Sequence, residues 1–144
     1  MAEQWDATKM HKLGSHHAQL EADGDLDGVM ATLVDNPVYE FWPIGLRATG
    51  RDAIRRYYEH LLGVFIPTQH GYRLVEEWLS DRSLIQEYEI EIEGPSGRET
   101  HQVIGMLWAD GELMGGERVW ASETCLRAML GPLFDELEPI RNHS

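Results

Sequence analysis

The sequence predicts an α+β fold in which a strongly curved, mostly antiparallel sheet of four to six strands wraps around three amino-terminal helices. Helical periodicity is concentrated in the first 62 residues, whereas later segments alternate apolar and polar residues with the two-residue period of strands. A short helix follows the last strand. Because the sheet must bury its concave face against the helices, we expect it to enclose an apolar cavity.

A tight acidic turn separates the first two helices. The first is expected from Asp6 to Glu21, where Leu13 and Leu20 share one face and His17 lies on the same stripe. Asp25 precedes the second helix and is expected to cap it. His17 is therefore either a core histidine with satisfied hydrogen bonds or a group that points into the cavity.

Two strands and the third helix follow. Val38–Trp42 and Tyr72–Leu79 have the composition of strands, and Arg51–Leu62 places Tyr57 and Tyr58 on the apolar face of a helix. The two tyrosines either pack this helix on the sheet or present a hydroxyl group to the cavity.

Two hairpins form the remainder of the sheet. Ser83–Glu93 alternates apolar residues with glutamates, so the glutamates are expected to face water. Gly94–Gly97 is expected to form the first turn, and Asp110-Gly111 a two-residue turn between the strands Glu99–Ala109 and Glu112–Ser122.

These turns predict which residues share the concave face. A four-residue first loop places Ile90 opposite His101, and a two-residue second loop places His101 opposite Trp120. A slip of one residue would reverse the face of a whole strand. The expected inward residues are Gln86, Tyr88, Ile90, Glu99, His101, Val103, Leu107, Arg118, Trp120 and Ser122.

Composition and charge narrow the possible partners. With 144 residues, of which 42% are hydrophobic, the chain is long enough for one domain with a packed core, and we assign residues 1–144 to it. The formal net charge of −13 disfavours nucleic acids and anionic membranes. The single cysteine, Cys125, and the absence of a signal pattern favour a cytoplasmic protein.

The outer face of the predicted sheet is not wholly polar. Ile104, Met106, Trp108, Leu113 and Val119 form an apolar group beside the glutamates. Since exposed apolar patches of this size usually contact a partner, we expect a homodimer that packs through this face.

The helix start at Gly50–Ile54 and the closing segment ERVWASETCL, residues 117–126, resemble the nuclear-transport-factor-2-like superfamily, and in particular its SnoaL-like proteins. The resemblance covers nearly the whole chain. It implies a cone-shaped, cystatin-like α+β barrel that hosts isomerases, dehydratases, cyclases, epoxide hydrolases and plain binding or dimerisation modules.

The resemblance also implies where catalytic groups would lie. In similar ketosteroid isomerases, the position of the general-base aspartate corresponds to Phe41, and that of the second oxyanion-hole acid corresponds to Val103. The acid–base aspartate of similar polyketide cyclases corresponds to Ser122. The oxyanion-hole tyrosine corresponds to His17, whereas a supporting tyrosine is retained as Tyr58. A pocket-facing tryptophan on the last strand of these isomerases is retained as well, as Trp120.

The remaining titratable groups define a candidate site. We expect the catalytic residues to be His101, His17, Tyr58 and Tyr88, since a neutral imidazole can accept a proton near pH 7 and a tyrosine can donate one. Arg118 either holds an oxyanion or pairs with a glutamate. The expected substrate-binding residues are Tyr39, Phe41, Tyr57, Gln86, Ile90, Val103, Arg118 and Trp120.

Two functional hypotheses remain open. The first is an enzyme that needs no cofactor and performs acid–base isomerisation, dehydration or cyclisation on a hydrophobic, cyclic, oxygenated small molecule. The second is a non-catalytic module of the same fold that binds a small molecule or dimerises. The sequence contains no phosphate-binding loop and no pair of histidines at helical spacing, so neither a cofactor nor a metal is expected.

Overall fold

The computed structural model describes residues 4–140, which form one curved, open sheet with helices packed on its concave side. The helices are α1 (Ala7–Ala22), α2 (Leu26–Ala31), α3 (Arg51–His60) and α4 (Glu123–Leu130). A π-helical turn, Leu61–Phe65, and the 3₁₀ segments Ile66–Thr68 and Gly131–Glu136 follow α3 and α4. The strands are β1 (Leu33–Trp42), β2 (Leu46–Thr49), β3 (Gly71–Leu79), β4 (Ser83–Gly94), β5 (Gly97–Asp110), β6 (Leu113–Trp120) and β7 (Glu138–Pro139).

The sheet has the strand order β3-β4-β5-β6-β1-β2-β7, with β1 and β6 parallel and every other neighbouring pair antiparallel. This confirms the predicted α+β fold with a curved, mostly antiparallel sheet and a short carboxy-terminal helix. The predicted range of four to six strands is wrong, because the short strands β2 and β7 extend the sheet beyond β1 to seven strands. No helix among residues 4–140 is long and apolar enough to cross a membrane.

The helix starts follow from side-chain caps that the sequence shows. The Asp6 carboxylate accepts a hydrogen bond from the Lys9 amide, and the Asp25 carboxylate accepts one from the Gly28 amide, both at 2.9 Å. Each cap satisfies an amide that has no partner inside its own helix. On α1, Gly14 is buried against Leu84 of β4, where a Cβ atom would lie 2.5 Å from the leucine Cδ2. This close approach fixes α1 on the sheet.

The β4–β5 hairpin has the predicted register. Ile90 lies opposite His101, and Tyr88 lies opposite Val103. The alternation of glutamates along β4 and the glycine-rich turn are both local features, so the sequence was sufficient to set this pairing.

The predicted β5–β6 register is wrong. The turn is Gly111-Glu112 rather than Asp110-Gly111, and one residue, Gly115, has no partner, which makes a bulge. Together these changes reverse the face of β6. As a result Arg118 pairs with Met106 and Trp120 with Ile104, so both lie on the outer face, while Val119, predicted to be outside, is buried. Their neighbour Glu117 lies inside, opposite Leu107.

Close contacts explain why the bulge forms at these glycines. A Cβ atom at Gly115 would lie 2.5 Å from the Trp108 indole nitrogen, and one at Gly116 would lie 1.8 Å from the Val38 carbonyl oxygen. Only residues without side chains allow β6 to pass between the Trp108 ring and β1 in this way.

We predict that Gly116→Ala lowers the free energy of unfolding by about 3 kcal/mol, because its Cβ atom would overlap the β1 backbone. Urea denaturation measures this change. Gly63→Ala is the matched control, since no atom lies within 4 Å of a Cβ there. A Gly116→Ala variant as stable as the control would contradict the proposed role of the close approach.

Candidate functional site

A cavity of about 390 Å³ lies between α1, the turn after α3, and the concave faces of β3 to β6. Its apolar walls include Leu61, Phe65, Ile66, Ile90, Leu107 and Met129. Its polar and titratable groups include His17, Glu21, Gln69, His70, Gln86 and Glu117. A space of this size suits a small organic molecule whose orientation is set by a few polar contacts.

The structure brings some of the predicted site residues together. The cavity is lined by His17, Tyr57, Gln86, Tyr88 and Ile90, all of which the sequence placed in the site. Tyr58 is buried directly behind His17 and is hydrogen-bonded to it.

Other predicted residues lie elsewhere. Arg118 and Trp120 are on the outer face, where Arg118 Nε donates to Glu40 Oε1 at 3.1 Å. Phe41 and Val103 belong to the buried core. Tyr39 is also fully buried but joins the hydrogen-bond network behind the cavity.

His101, predicted to be catalytic, is not among the residues that line the cavity. Its Nε2 lies 3.1 Å from Glu99 Oε1, and its Nδ1 lies 3.1 Å from the hydroxyl of Ser122, which caps α4. The expected pairing with Trp120 is wrong because the β6 bulge moves Trp120 opposite Ile104. His101 therefore links β5 to the start of α4.

His17 is held in a defined orientation and is only 1% exposed. The Thr32 hydroxyl donates to the Val29 carbonyl at 2.6 Å, so it accepts from His17 Nδ1–H at 2.7 Å. This leaves Nε2, which lies 3.0 Å from Tyr58 Oη and 3.0 Å from Glu21 Oε1. Nε2 is thus the atom of His17 that can accept a proton.

Tyr58 joins His17 to a second acidic group. Its hydroxyl lies 2.5 Å from that of Tyr39 and donates to Glu117 Oε2 at 3.4 Å. Burial, followed by the charge of neighbouring groups, raises the pKa of Tyr58 and of Tyr39 well above the ordinary value. Both phenols therefore keep their protons and act as hydrogen-bond donors.

Glu117 is the residue that the sequence analysis missed. It is buried next to Gly105, and burial, with the nearby Glu21 carboxylate second, raises its pKa well above the usual value, against the opposing hydrogen bond from Tyr58. The carboxyl group is therefore protonated at pH values where an exposed glutamate is charged. The one sequence signal for the inward position of Glu117 is the Gly115-Gly116 pair, because adjacent glycines in a strand can mark a bulge.

Glu21 was also missed, although it lies one helical turn after His17, on the same face of α1. Among residues 4–140, one group of side chains is compact enough to share a small cation: the ligand atoms of His17, Glu21 and Glu117 lie within 4.8 Å of one another. The same closeness lets them share a proton, and the raised pKa of Glu117 favours that use. The absence of a metal stays a prediction.

The architecture belongs to the nuclear-transport-factor-2-like, or cystatin-like, class: a curved sheet with helices on its concave side and a cavity between them. Neither a protein-family model nor a curated protein matches the chain. Solved structures do match, and all of those compared below share less than a fifth of their residues with it, so they show the fold.

Three of these structures show what kinds of protein share this fold. A nuclear-transport-factor-2-like protein of unknown function from Burkholderia xenovorans LB400 is 19% identical, with a TM-score of 0.63 over 80% of this chain and 84% of that one. SalBIII, an epoxide hydrolase/cyclase-like enzyme in pyran ring formation in the polyether salinomycin, is 17% identical, with a TM-score of 0.68 over 84% and 96%. A ketosteroid isomerase-like protein from Kribbella flavida DSM 17836 is 13% identical, with a TM-score of 0.64 over 81% and 80%.

The raised pKa of Glu117 predicts a pH-dependent difference between wild type and Glu117→Gln. A group whose pKa is higher in the folded state stabilises the fold at low pH and loses that contribution as the pH rises towards its folded pKa. We therefore expect wild type to lose stability relative to Glu117→Gln above about pH 4.5, by up to about 1.4 kcal/mol per pH unit.

Urea denaturation at a series of pH values measures this difference. Glu112→Gln, which removes one exposed carboxyl group from the β5–β6 turn, is the control and keeps the wild-type pH dependence. A wild-type minus Glu117→Gln difference that does not change with pH would show that Glu117 is not buried as described.

Proposed function

We propose that the protein is an acid–base enzyme that needs no cofactor and acts on a hydrophobic, cyclic, oxygenated small molecule bound in the cavity. The observation that carries this proposal is the buried Glu117 carboxyl group, joined through the Tyr58 hydroxyl to Nε2 of His17. Such a pair supplies a proton donor and a proton acceptor at one end of an apolar space, as acid–base catalysis requires.

The groups have complementary roles in the proposed reaction. Glu117, protonated because burial raises its pKa, donates its proton to an oxygen of the bound molecule. His17 Nε2 accepts a proton from a carbon or oxygen of the same molecule, and Glu21 stabilises the resulting imidazolium. The Tyr58 hydroxyl then passes a proton from His17 back to Glu117, which restores both groups.

The comparisons are consistent with this class of reaction. The similar structures include an epoxide hydrolase/cyclase-like enzyme and a ketosteroid isomerase-like protein. The resemblance implied that Phe41 on β1 replaces a catalytic aspartate. Glu117 lies on the adjacent strand β6, beside Tyr39 of β1, so a carboxyl group enters the cavity from a neighbouring position instead. Isomerisation, dehydration and cyclisation all use such a proton donor and acceptor.

A non-catalytic binding module is the second candidate, and one observation favours it. Both ring nitrogens of His17 already have hydrogen-bond partners inside the protein, as in a structural histidine. In that case the cavity would hold its ligand by apolar contact alone. The enzyme would convert its ligand and would need Glu117 and His17 to do so, whereas the binding module would leave its ligand unchanged.

We expect Glu117→Gln and His17→Gln each to lower turnover by about 10²- to 10⁴-fold, because each removes one proton-transfer group. The substrate is first identified by native mass spectrometry of protein purified with its ligand. Turnover of that molecule is then measured alongside its dissociation constant, which we expect His17→Gln to change little.

His101→Gln is the matched control, since His101 lies outside the cavity, and it retains wild-type turnover. Equal activity of all three variants, or a ligand that leaves the protein chemically unchanged, would favour the binding module over the enzyme.

We also propose that the protein forms a homodimer through the outer face of the sheet. Ile104, Met106 and Trp108 remain partly exposed there, and Arg118 lies over the Trp108 ring at 5.2 Å. Val119 no longer contributes because it is buried. In a monomer these large apolar side chains would be exposed to water.

We therefore expect wild type to sediment as a dimer in analytical ultracentrifugation and Met106→Glu to shift the population to monomer, because a charge would be buried at the interface. Trp108 is left unchanged because its ring packs against Gly115 and Gly116 of β6. Val64→Glu is the control, since Val64 is 53% exposed and lies in the π-helical turn after α3 rather than on the sheet. A monomeric wild type would overturn the proposal.

A further inference from the structure

The described lining of the cavity has acidic groups but no permanently cationic one, and the Nε2 atom of its second histidine, His70, already lies 3.1 Å from Glu93 Oε1. Glu21 and Glu117 are the carboxyl groups on its lining, and none of the lining residues within 4–140 is arginine or lysine. His17 could carry a positive charge, but its Nε2 already lies 3.0 Å from Glu21. The Nδ1–H of the same ring donates to Thr32 and does not point into the cavity.

Aromatic side chains form much of the surrounding wall. Tyr57, Tyr88 and Phe65 line the cavity, and burial raises the pKa of both tyrosines well above the usual value, so they remain neutral. The faces of such rings carry partial negative charge and attract cations. Carboxyl groups combined with neutral aromatic rings make a typical site for an organic cation.

An anionic ligand would find few matching donors, because Gln86 Nε2 already donates to Glu77 Oε2 at 2.7 Å and His70 Nε2 already lies 3.1 Å from Glu93 Oε1. A carboxylate or phosphate needs positively charged or multiple N–H donors, and here it would meet the two glutamates without a lysine or arginine to offset them. Gly105 also leaves the Glu117 carboxyl open to the cavity, since a Cβ there would lie 3.2 Å from Oε1. A ligand can therefore approach Glu117 from that side.

We infer that the cavity selects hydrophobic ligands that carry a positive charge when bound, beside Glu21 and Glu117, and that it rejects anionic ones. The inference rests on the proposed function and narrows its substrate class to a hydrophobic, oxygenated molecule that also carries a basic group such as an amine. The Glu117 proton moves to the basic atom of the ligand, and the resulting cation pairs with the carboxylate that remains. No other reactant is needed.

Three probes of nearly the same shape test the inference. They are 2-aminoindane, which is cationic at pH 7, 2-indanol, which is neutral, and indane-2-carboxylate, which is anionic. We expect calorimetry to show that the amine binds at least about tenfold more tightly than the alcohol, and that the carboxylate does not bind detectably. Proton uptake or release is read from titrations in two buffers with different ionisation enthalpies.

Variants show whether the two glutamates cause the preference. Glu117→Gln is expected to remove most of the difference between amine and alcohol while leaving alcohol binding unchanged. Glu21→Gln is the second variant and is used if Glu117→Gln fails to fold. The Glu21 side chain is 25% exposed, so we expect the fold to tolerate its substitution. Glu99→Gln is the matched control, because Glu99 pairs with His101 outside the cavity.

Each outcome separates this inference from the proposed function. Equal affinity for amine and alcohol, or tighter binding of the carboxylate, would overturn the inference even if the enzyme turns over its substrate. A clear preference for the amine without any turnover would support the inference and would favour the binding module over the enzyme. The amine titration is repeated with EDTA, and zinc ion is titrated separately; binding of zinc alone would also overturn the inference.

Discussion

The close passage of β6 beside β1 at Gly116 is the constraint on which the site depends. A side chain at this position would overlap the Val38 carbonyl oxygen, and the Trp108 ring covers the preceding glycine. The strand therefore admits one extra residue and reverses its faces. Glu117 is turned into the cavity, whereas Arg118 is turned to the outer surface. Had the register continued without a bulge, a cation rather than an acid would line the cavity.

Burial of that acid determines its protonation state. The protein places Glu117 in an apolar space with Glu21 nearby and no arginine or lysine on the lining, and these conditions favour the neutral carboxyl group. Keeping two acids close together is unfavourable, and the structure does so beside the cavity. Stability elsewhere comes from a continuous apolar core that includes Phe41 and Val103.

The His17 network connects the helical layer to the sheet. Thr32 at the end of α2 fixes which nitrogen of the ring carries the proton, and Tyr58 of α3 extends the network to β6. Three separate helices must pack correctly for these hydrogen bonds to form. A site built across several elements in this way is rigid, because moving any one helix would break a buried hydrogen bond.

Local patterns in the sequence determined the helices and strands of the α+β fold, the cap at Asp25 and the β4–β5 register, because each depends on residues that are close along the chain. The orientation of His17 depends on Thr32 and Tyr58, which are 15 and 41 residues away. The face of β6 was decided by the tertiary structure alone. The bulge forms through contacts with Trp108 and Val38, which are distant along the chain, and a change of one residue in register reverses every side chain that follows. For that reason the sequence indicated a cavity with a histidine and tyrosines, and only the folded chain placed Glu117 beside them.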